Sequence, residues 1–242
     1  MIYKEDLQVI IPMAGLGKRF SDRGYTISKP LIPINGKPMI ERVVENLGIT
    51  KNLTFLIQGE ILEDGFLESL LREICQSPRI ISLDRLTEGP LSTTLLAREF
   101  ISRSPLMIIN CDQIIQDFNL DNIFNFINYN KLDGLLGTFI SNSHKNSYVK
   151  LDERGWITLV REKERISNIA TNGLHFWRDG HDFLRSADKT IRDDVRCNGE
   201  FYIAPTYNYL IQEDKKILPF FYNLHWPIGT PEDLEWYTKN IL

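Results

Sequence analysis

A short apolar run, a glycine-bearing loop and a set of cations occupy residues 7–30, and this stretch constrains the fold more than any other. Residues 9–11 read Val-Ile-Ile, the uninterrupted apolar pattern of a strand buried on both faces of a parallel sheet. Gly15 and Gly17 follow, and glycine lets the backbone adopt positive φ and approach a ligand closely. The stretch therefore predicts a parallel strand that ends in a ligand-binding turn.

Lys18, Arg19 and Lys29 bring positive charge next to this turn. Backbone amide groups at such a turn form a concave anion site, and the added cations suit a polyphosphate that gains charge in a phosphoryl-transfer transition state. The loop lacks both the Gly-x-x-x-x-Gly-Lys-Ser/Thr pattern and the third glycine of the dinucleotide fingerprint, which disfavours a P-loop NTPase and an NAD-binding protein. A structural turn with solvated cations is the other interpretation of the two glycines.

Strands and helices alternate through the first half of the chain. The apolar periodicity predicts strands at 53–57, 79–83 and 106–110 and helices at 39–47, 62–75 and 93–100. This alternation is typical of a doubly wound, mostly parallel α/β sheet of the Rossmann-like type, whose ligands lie beyond the carboxyl ends of the strands. Residues 147–160 instead predict two strands joined by a turn, so a small antiparallel part begins there. We expect a single domain over 1–242, with a nucleotide-binding half at about 1–140 and an acceptor-binding half at about 141–242.

Composition excludes several classes of function. The 242 residues carry a net charge of −4, which disfavours a broad nucleic-acid surface. Three widely spaced cysteines form no Cys-x-x-Cys pattern, so we expect no zinc site and a reduced, cytoplasmic setting. No apolar run approaches the ~20 residues that cross a bilayer, and the N-terminus does not resemble a signal peptide.

Asp112 follows directly after the apolar strand at 106–110. A carboxylate at the edge of a central strand is poorly solvated unless a positive group meets it, and Mg²⁺ bridging phosphate oxygens is the natural partner. The alternative is that Asp112 caps a helix or forms a turn. A glycosyltransferase that uses nucleotide sugars would usually show Asp-x-Asp here, whereas this chain has Asn110-Cys111-Asp112.

A second glycine turn lies at residues 87–92, between a predicted strand and the helix at 93–100. Gly89 suits close approach of the backbone to a ligand, and Ser92 is a candidate N-cap for that helix. A plain strand-to-helix turn is the alternative. His175 alternates with apolar neighbours farther along the chain, so we expect a structural role for it.

Residues 14–20, followed by Lys29-Pro30-Leu31, resemble the signature of the nucleotidyltransferases that activate sugar phosphates and related phosphorylated small molecules. These enzymes join an NTP to a phosphorylated acceptor and release pyrophosphate. Short members that resemble this chain occur in capsule and surface-polysaccharide pathways. They include cytidylyltransferases that act on phosphocholine or phosphoglutamine.

The resemblance implies a role for each candidate residue. Arg19 and Lys29 would be catalytic at the α-phosphate, and Asp112 would hold Mg²⁺ or Mn²⁺. Nucleotide binding is implied for Ala14, Gly15, Leu16, Gly17, Lys18, Glu88 and Gly89, of which the last two would read the base. Acceptor binding is implied for Glu162, Lys163, Asn172, Arg196 and Glu200. On chemistry alone, residues 162–165 form a charge cluster of the kind that is usually just solvated.

One position departs from the pattern. Many sugar-1-phosphate members carry a second metal-binding aspartate where this chain has Pro227. This departure favours CTP over the other NTPs, and so does the small polar acceptor wall, by which we mean Glu162, Asn172 and Glu200. A nucleotide-sugar-dependent glycosyltransferase and a non-catalytic nucleotide-binding module are the alternatives. The expected partners are an NTP and a phosphorylated small molecule, without nucleic acid or membrane, and a homodimer is a possible assembly.

Overall fold

The computed structural model of the protein describes residues 1–242. Its strands are β1 (Gln8–Met13), β2 (Pro33–Ile34), β3 (Lys37–Pro38), β4 (Leu53–Gln58), β5 (Arg79–Leu83), β6 (Leu106–Ile109), β7 (Gln113–Ile115), β8 (Gly134–Ile140), β9 (Ser147–Leu151), β10 (Ile157–Glu162), β11 (Ile169–Trp177), β12 (Ile217–Phe221) and β13 (His225–Pro227). Its α-helices are α1 (Lys18–Ser21), α2 (Met39–Leu47), α3 (Phe66–Ile74), α4 (Pro90–Leu95), α5 (Leu120–Asn130), α6 (Gly180–Arg192), α7 (Tyr207–Gln212) and α8 (Pro231–Asn240). No helix has the length and apolar character needed to cross a bilayer.

The chain divides into two compact units that interleave along the sequence. The first unit comprises Met1–Ile10, Thr87–Ile109 and Asn119–Asn223. The second unit comprises Ile11–Leu86, Asn110–Phe118 and Leu224–Leu242. Strand β1 begins in the first unit and ends in the second.

In the first unit the strands follow the order β10-β9-β11-β6-β1, with β8 joined to β11 and β12 joined to β8. β1 and β6 are parallel, whereas β6, β8 and β9 all pair antiparallel with β11. The core gathers around the end of β11, where Trp177 stacks on Tyr207 with ring centroids 4.6 Å apart. The Tyr207 hydroxyl donates to the Phe176 carbonyl at 2.7 Å, so the buried phenol has a polar partner.

In the second unit the strand order is β1-β4-β5, and β4 and β5 are parallel. α2 buries its apolar face through Met39, Ile40, Val43, Val44 and Leu47, the residues whose spacing predicts the helix. This helix ends at Gly48, whose φ of +61° suits a left-handed C-cap. The strand β7 pairs antiparallel with β13 and forms a separate two-stranded sheet.

The doubly wound, mostly parallel α/β class predicted from the sequence is confirmed. The strands expected at 53–57, 79–83 and 106–110 are present, and β9 and β10 form the expected antiparallel hairpin. Two of the predicted helix starts are wrong. α3 begins at Phe66 because Gly65 takes φ +71° before it, and α4 begins at Pro90, so Ser92 lies inside the helix and is not its cap.

Candidate active site

The glycine loop of the second unit follows β1 and leads into the single turn of α1. Gly17 caps that turn with φ +61°, and a Cβ added there would lie 3.0 Å from Cβ of Lys29. Position 17 therefore favours glycine for two reasons, the positive φ and the close contact that any Cβ would make with Lys29. A Cβ added at Gly15 would meet no atom within 4 Å, and Gly15, Leu16 and Lys18 are exposed, while Ala14 is buried.

Lys29 and Asp112 meet in this unit although 83 positions separate them in the chain. The Lys29 ammonium donates to the Asp112 carboxylate, and the two side chains are only 16% and 27% exposed. Burial alone would lower the pKa of Lys29, but Asp112 raises it above its ordinary value. Burial alone would raise the pKa of Asp112, but Lys29 lowers it below its ordinary value. Both groups are therefore charged at neutral pH.

Arg19 lies within electrostatic range of this ion pair. Its guanidinium contributes to lowering the pKa of Asp112 and opposes the increase in the pKa of Lys29. The residue itself is exposed, so its donors face solvent. Arg19, Lys29 and Asp112 are thus one electrostatic group, two cations beside one carboxylate.

The surroundings of Asp112 are closely fitted. A Cβ added at Gly229 would overlap the Asp112 carboxylate, and the Asp112 carbonyl accepts from the Ile228 amide at 2.9 Å. The neighbouring Gln113 is 3% exposed, and its Oε1 lies 3.0 Å from Nε2 of His225. Burial lowers the pKa of His225 to about 4, so its imidazole is neutral at pH 7. Gly229 thus leaves the space that the Asp112 carboxylate occupies, and the Ile228 amide holds the backbone of Asp112.

Three residues of this region are not among those predicted from the sequence. Gln58 at the end of β4 donates to the Ala14 carbonyl at 2.9 Å and fixes the start of the glycine loop. A polar residue that ends an apolar strand run is the signal that could have identified it. Gln113 and His225 have no comparable signal, because their contact depends on how β7 and β13 pair.

The structure gathers no group of three or more His, Cys, Asp or Glu side chains able to hold a metal ion by themselves. Mg²⁺, however, is commonly held by one or two carboxylates together with substrate phosphates and water. The partly exposed Asp112 carboxylate fits such a site, and Pro227, which is exposed on β13 opposite Gln113, adds no side-chain ligand.

The predicted acceptor residues lie in the first unit, where Glu162, Lys163 and Glu200 make side-chain hydrogen bonds. Glu162 accepts from the Ser147 hydroxyl, and the Lys163 ammonium donates to the Tyr202 hydroxyl and lies 4.4 Å from the centroid of its ring. The Tyr202 hydroxyl in turn donates to Glu200. Burial raises the pKa of Glu162, although Ser147 and Lys163 oppose this shift. Tyr202, which sequence reasoning missed, joins Lys163 to Glu200.

Asn172 lies in β11 and is 3% exposed. Its Oδ1 accepts from the Leu174 amide at 3.1 Å, and a Cβ added at Gly137 would overlap this oxygen. The Asn172 amide nitrogen is buried and has no hydrogen-bond partner in the protein. A buried donor without a partner is costly, so this group is suited to a ligand or an ordered water.

Glu88, Gly89 and Arg196 also meet in the first unit. The Arg196 guanidinium donates to Glu88 at 3.1 Å and to the Gly199 carbonyl at 2.8 Å. Gly89 is buried with φ +116° and ψ 175°, a conformation that favours glycine. The predicted base-reading turn is thus bonded to the predicted acceptor segment, a relationship that the sequence did not indicate.

The profile of the nucleotidyl transferase family matches residues 8–241. The chain belongs to this family, which confirms the predicted enzyme class, nucleotidyltransferase. It is 25% identical over 238 residues to the bifunctional protein GlmU of Methanococcus aeolicus, an alignment that covers 94% of this chain and 53% of that protein. It is 28% identical over 169 residues to GlmU of Methanococcus maripaludis, covering 69% of this chain and 38% of that protein. The chain spans about half the length of the curated relatives it matches.

Solved structures share the fold at lower identity. The nucleoside-diphosphate-sugar pyrophosphorylase of Vibrio cholerae superposes with a TM-score of 0.85 at 22% identity, covering 96% of this chain and all of that one (100%). A UDP-glucose pyrophosphorylase in complex with UDP-glucose gives 0.78 at 19% identity, covering 99% and 98%. The CTP:phosphocholine cytidylyltransferase LicC of Streptococcus pneumoniae gives 0.76 at 15% identity, covering 98% and 99%. These likenesses support the α/β fold class.

Proposed function

We propose that this chain transfers a nucleotidyl group from an NTP to the phosphate of a small acceptor and releases pyrophosphate. An oxygen of the acceptor phosphate attacks the α-phosphorus in line. The bond from that phosphorus to the bridging oxygen of the leaving pyrophosphate breaks. The acceptor phosphate is already ionised at neutral pH, so no protein nucleophile or general base is required.

The observation that carries this proposal is the electrostatic group of Arg19, Lys29 and Asp112 beside the glycine loop. Two cations fixed next to a triphosphate site stabilise the charge that grows at the α-phosphate in the transition state. The exposed loop backbone at Gly15 and Leu16 is available for phosphate oxygens. Lys29 is held in place by its own ion pair, which limits the reorganisation needed during reaction.

Members of the nucleotidyl transferase family generally use a divalent metal ion. In this chain Asp112 would hold it, with substrate phosphates and water completing the coordination. A divalent ion bound there would supply positive charge that offsets part of the charge of the substrate phosphates. Lys29 and the close approach of Gly229 would keep the Asp112 carboxylate in one orientation.

Substrate identity belongs to the same proposal. Glu88 and Gly89 would contact the nucleobase, and the acceptor would bind to Glu162, Lys163, Asn172 and Glu200. We favour CTP because of Pro227 and the small polar acceptor wall, and we favour a precursor of capsule or surface polysaccharide as the product. UTP is the main competitor, since the names of the structural neighbours include both a cytidylyltransferase and UDP-glucose pyrophosphorylases. A cytoplasmic location and a homodimer remain predictions from the sequence.

The test is a panel of the four NTPs against phosphorylated small molecules, scored by pyrophosphate release with and without MgCl₂. The panel should contain glucose 1-phosphate, N-acetylglucosamine 1-phosphate and phosphocholine. We expect release only when NTP, Mg²⁺ and one acceptor are all present. Binding of a nucleotide sugar without any NTP turnover would instead indicate a glycosyltransferase, and binding of NTP with no turnover on any acceptor would indicate a non-catalytic module.

A further inference from the structure

The turn at Glu88 and Gly89 is attached to a small hairpin by backbone hydrogen bonds in the first unit. The Phe201 amide donates to the Glu88 carbonyl at 2.7 Å, and the Leu91 amide donates to the Phe201 carbonyl at 3.1 Å. A Cβ added at Gly89 would lie 2.6 Å from the Phe201 carbonyl oxygen, so only glycine permits this approach. We call Glu88 and Gly89 the base turn.

The hairpin comprises residues 197–200 and carries Glu200 at its end. Cys197 and Glu200 exchange two backbone hydrogen bonds, each 3.0 Å long. Asn198 and Gly199 between them take φ values of +50° and +81°, as the central residues of a type I′ turn do. We call residues 197–200 the acceptor hairpin.

One side chain contacts both segments. The Arg196 guanidinium donates to Gly199 in the acceptor hairpin at 2.8 Å and to Glu88 in the base turn at 3.1 Å. It also donates to Asp194 at 2.5 Å and lies 3.8 Å from the centroid of the buried Phe201 ring. Three donor nitrogens and the flat face of the group are therefore engaged, as suits a planar guanidinium.

We propose that Arg196 is a positioning residue that couples the base turn to the acceptor hairpin, so that a nucleotide bound at the turn orders the hairpin for the acceptor. The inference rests on the proposed function, because that function assigns the nucleobase to the turn and the acceptor to Glu200. It replaces the role expected for Arg196 from the sequence, direct contact with the acceptor phosphate. The coupling is reciprocal, so an acceptor would also tighten nucleotide binding.

Cys197 makes this coupling measurable without knowing the acceptor. It is half-buried in the acceptor hairpin, and its thiol lies 3.5 Å from the Glu162 carbonyl, whereas Cys75 and Cys111 are buried. The rate at which iodoacetamide labels Cys197, followed by mass spectrometry, therefore reports how often the hairpin opens. Calorimetry with CTP, UTP, ATP and GTP in MgCl₂ first identifies a nucleotide that binds and its saturating concentration for each variant.

We expect the bound nucleotide to slow Cys197 labelling about fivefold or more in the unmodified protein, within the usual range of coupling factors. In Arg196→Ala at a saturating nucleotide concentration, the ratio of the labelling rate without nucleotide to the rate with nucleotide should fall below about twofold. Glu88→Gln removes the charge of the exposed partner in the Arg196–Glu88 ion pair and should reduce the ratio as well. This second variant keeps the test decisive if Arg196→Ala does not fold. Arg192→Ala is the matched control, because Arg192 is exposed on α6 and pairs with Asp193.

The results distinguish failure of the proposed coupling from failure of the proposed function. Loss of protection in Arg196→Ala with retention in Arg192→Ala supports the coupling. Equal protection in Arg196→Ala and the unmodified protein, or no protection at all while nucleotide binds, overturns it and leaves the proposed function intact. Failure of every NTP to bind the unmodified protein overturns the proposed function together with the coupling.

Discussion

Lys29 and Asp112 form an ion pair in which neither side chain is more than 27% exposed. Removing two charges from water costs free energy that their attraction often only balances, so such a pair is weak evidence for a role in stability. Its position beside the glycine loop suggests a role in binding instead. In the proposed reaction, a triphosphate at the loop would offer Lys29 a second anionic partner, and a metal ion would offer Asp112 a second cationic one.

Lys29→Ala and Arg19→Ala should each lower kcat by ~10²–10³-fold, the cost of removing one preorganised group that stabilises transition-state charge. The physical reason is that the missing cation leaves growing charge at the α-phosphate unbalanced. Steady-state pyrophosphate release at saturating substrates measures the effect. Lys37→Ala is the control, because Lys37 is a partly exposed lysine of the same unit that pairs with Glu41 and Glu45. Full activity in Arg19→Ala would count heavily against the proposed reaction.

Gly229→Ala should lower kcat by at least ~10²-fold while the protein remains folded. The new Cβ would overlap Oδ2 of Asp112 and force the carboxylate to move, and a shift of about 1 Å at an active site can cost that much. Circular dichroism and pyrophosphate release measure the two parts of the prediction. Gly155→Ala is the control, since a Cβ added there would meet no atom within 4 Å but its φ is +88°. It should lose about 1 kcal/mol of stability and keep its activity, and equal kcat values in the two variants would refute the steric argument.

The fold was predictable from the sequence where local periodicity and tertiary packing agree. Residues 39–47 carry apolar side chains at helical spacing, and α2 buries those same side chains. The start of α3 was not predictable in this way because residues 59–62 form a 3₁₀ turn, which has similar apolar content but ends before Gly65. Ser92 is not the cap of α4, since Pro90 fits the first turn of a helix and the helix starts there, upstream of the serine.

For the candidate site, the sequence indicated charged residues but not the contacts between them. Lys29 and Asp112 were expected at one phosphate site, and the structure brings them together. Arg196 was expected to contact an acceptor phosphate, yet its donors are engaged by protein groups that include Glu88, 108 positions away. No local pattern encodes such a contact, because it depends on how the base turn packs against Phe201.

Glu162→Gln should raise the KM for the acceptor about tenfold and leave the KM for the NTP within about twofold. A hydrogen bond that involves a charged group contributes ~1.5–3 kcal/mol, and the amide removes that charge while it can still accept from Ser147. Glu164→Gln is the control, because Glu164 belongs to the same charged run but is 67% exposed. A tenfold increase in the KM for the NTP would instead place Glu162 at the nucleotide.

The free energy of unfolding should fall as the pH is lowered from about 6.5 to about 4. Burial lowers the pKa of His175 to about 4, so in this interval the unfolded chain binds a proton at His175 that the folded protein does not. The loss from this histidine is on the order of 3 kcal/mol at most. The pKa of His225 is also lowered to about 4 by burial, so it contributes over the same interval. His175→Phe, which keeps a ring near Trp177 and Tyr207, should therefore reduce the slope of the curve in urea titrations at each pH without abolishing it. The exposed His144→Phe should leave it unchanged, and an unaltered slope in His175→Phe would refute this assignment.

Pro227→Asp should tighten metal binding several-fold, because affinity for hard cations increases with the number of charged oxygen ligands. Position 227 pairs with Gln113, the residue after Asp112, and it is exposed, so a carboxylate fits there without being buried. Titration with Mn²⁺ followed by electron paramagnetic resonance, in the presence of the NTP, measures the effect independently of turnover. Pro227→Asn separates the added charge from the loss of proline and should bind Mn²⁺ as the unmodified protein does. If Pro227→Asp and Pro227→Asn bind Mn²⁺ equally, a carboxylate at position 227 does not reach the ion and this prediction is wrong.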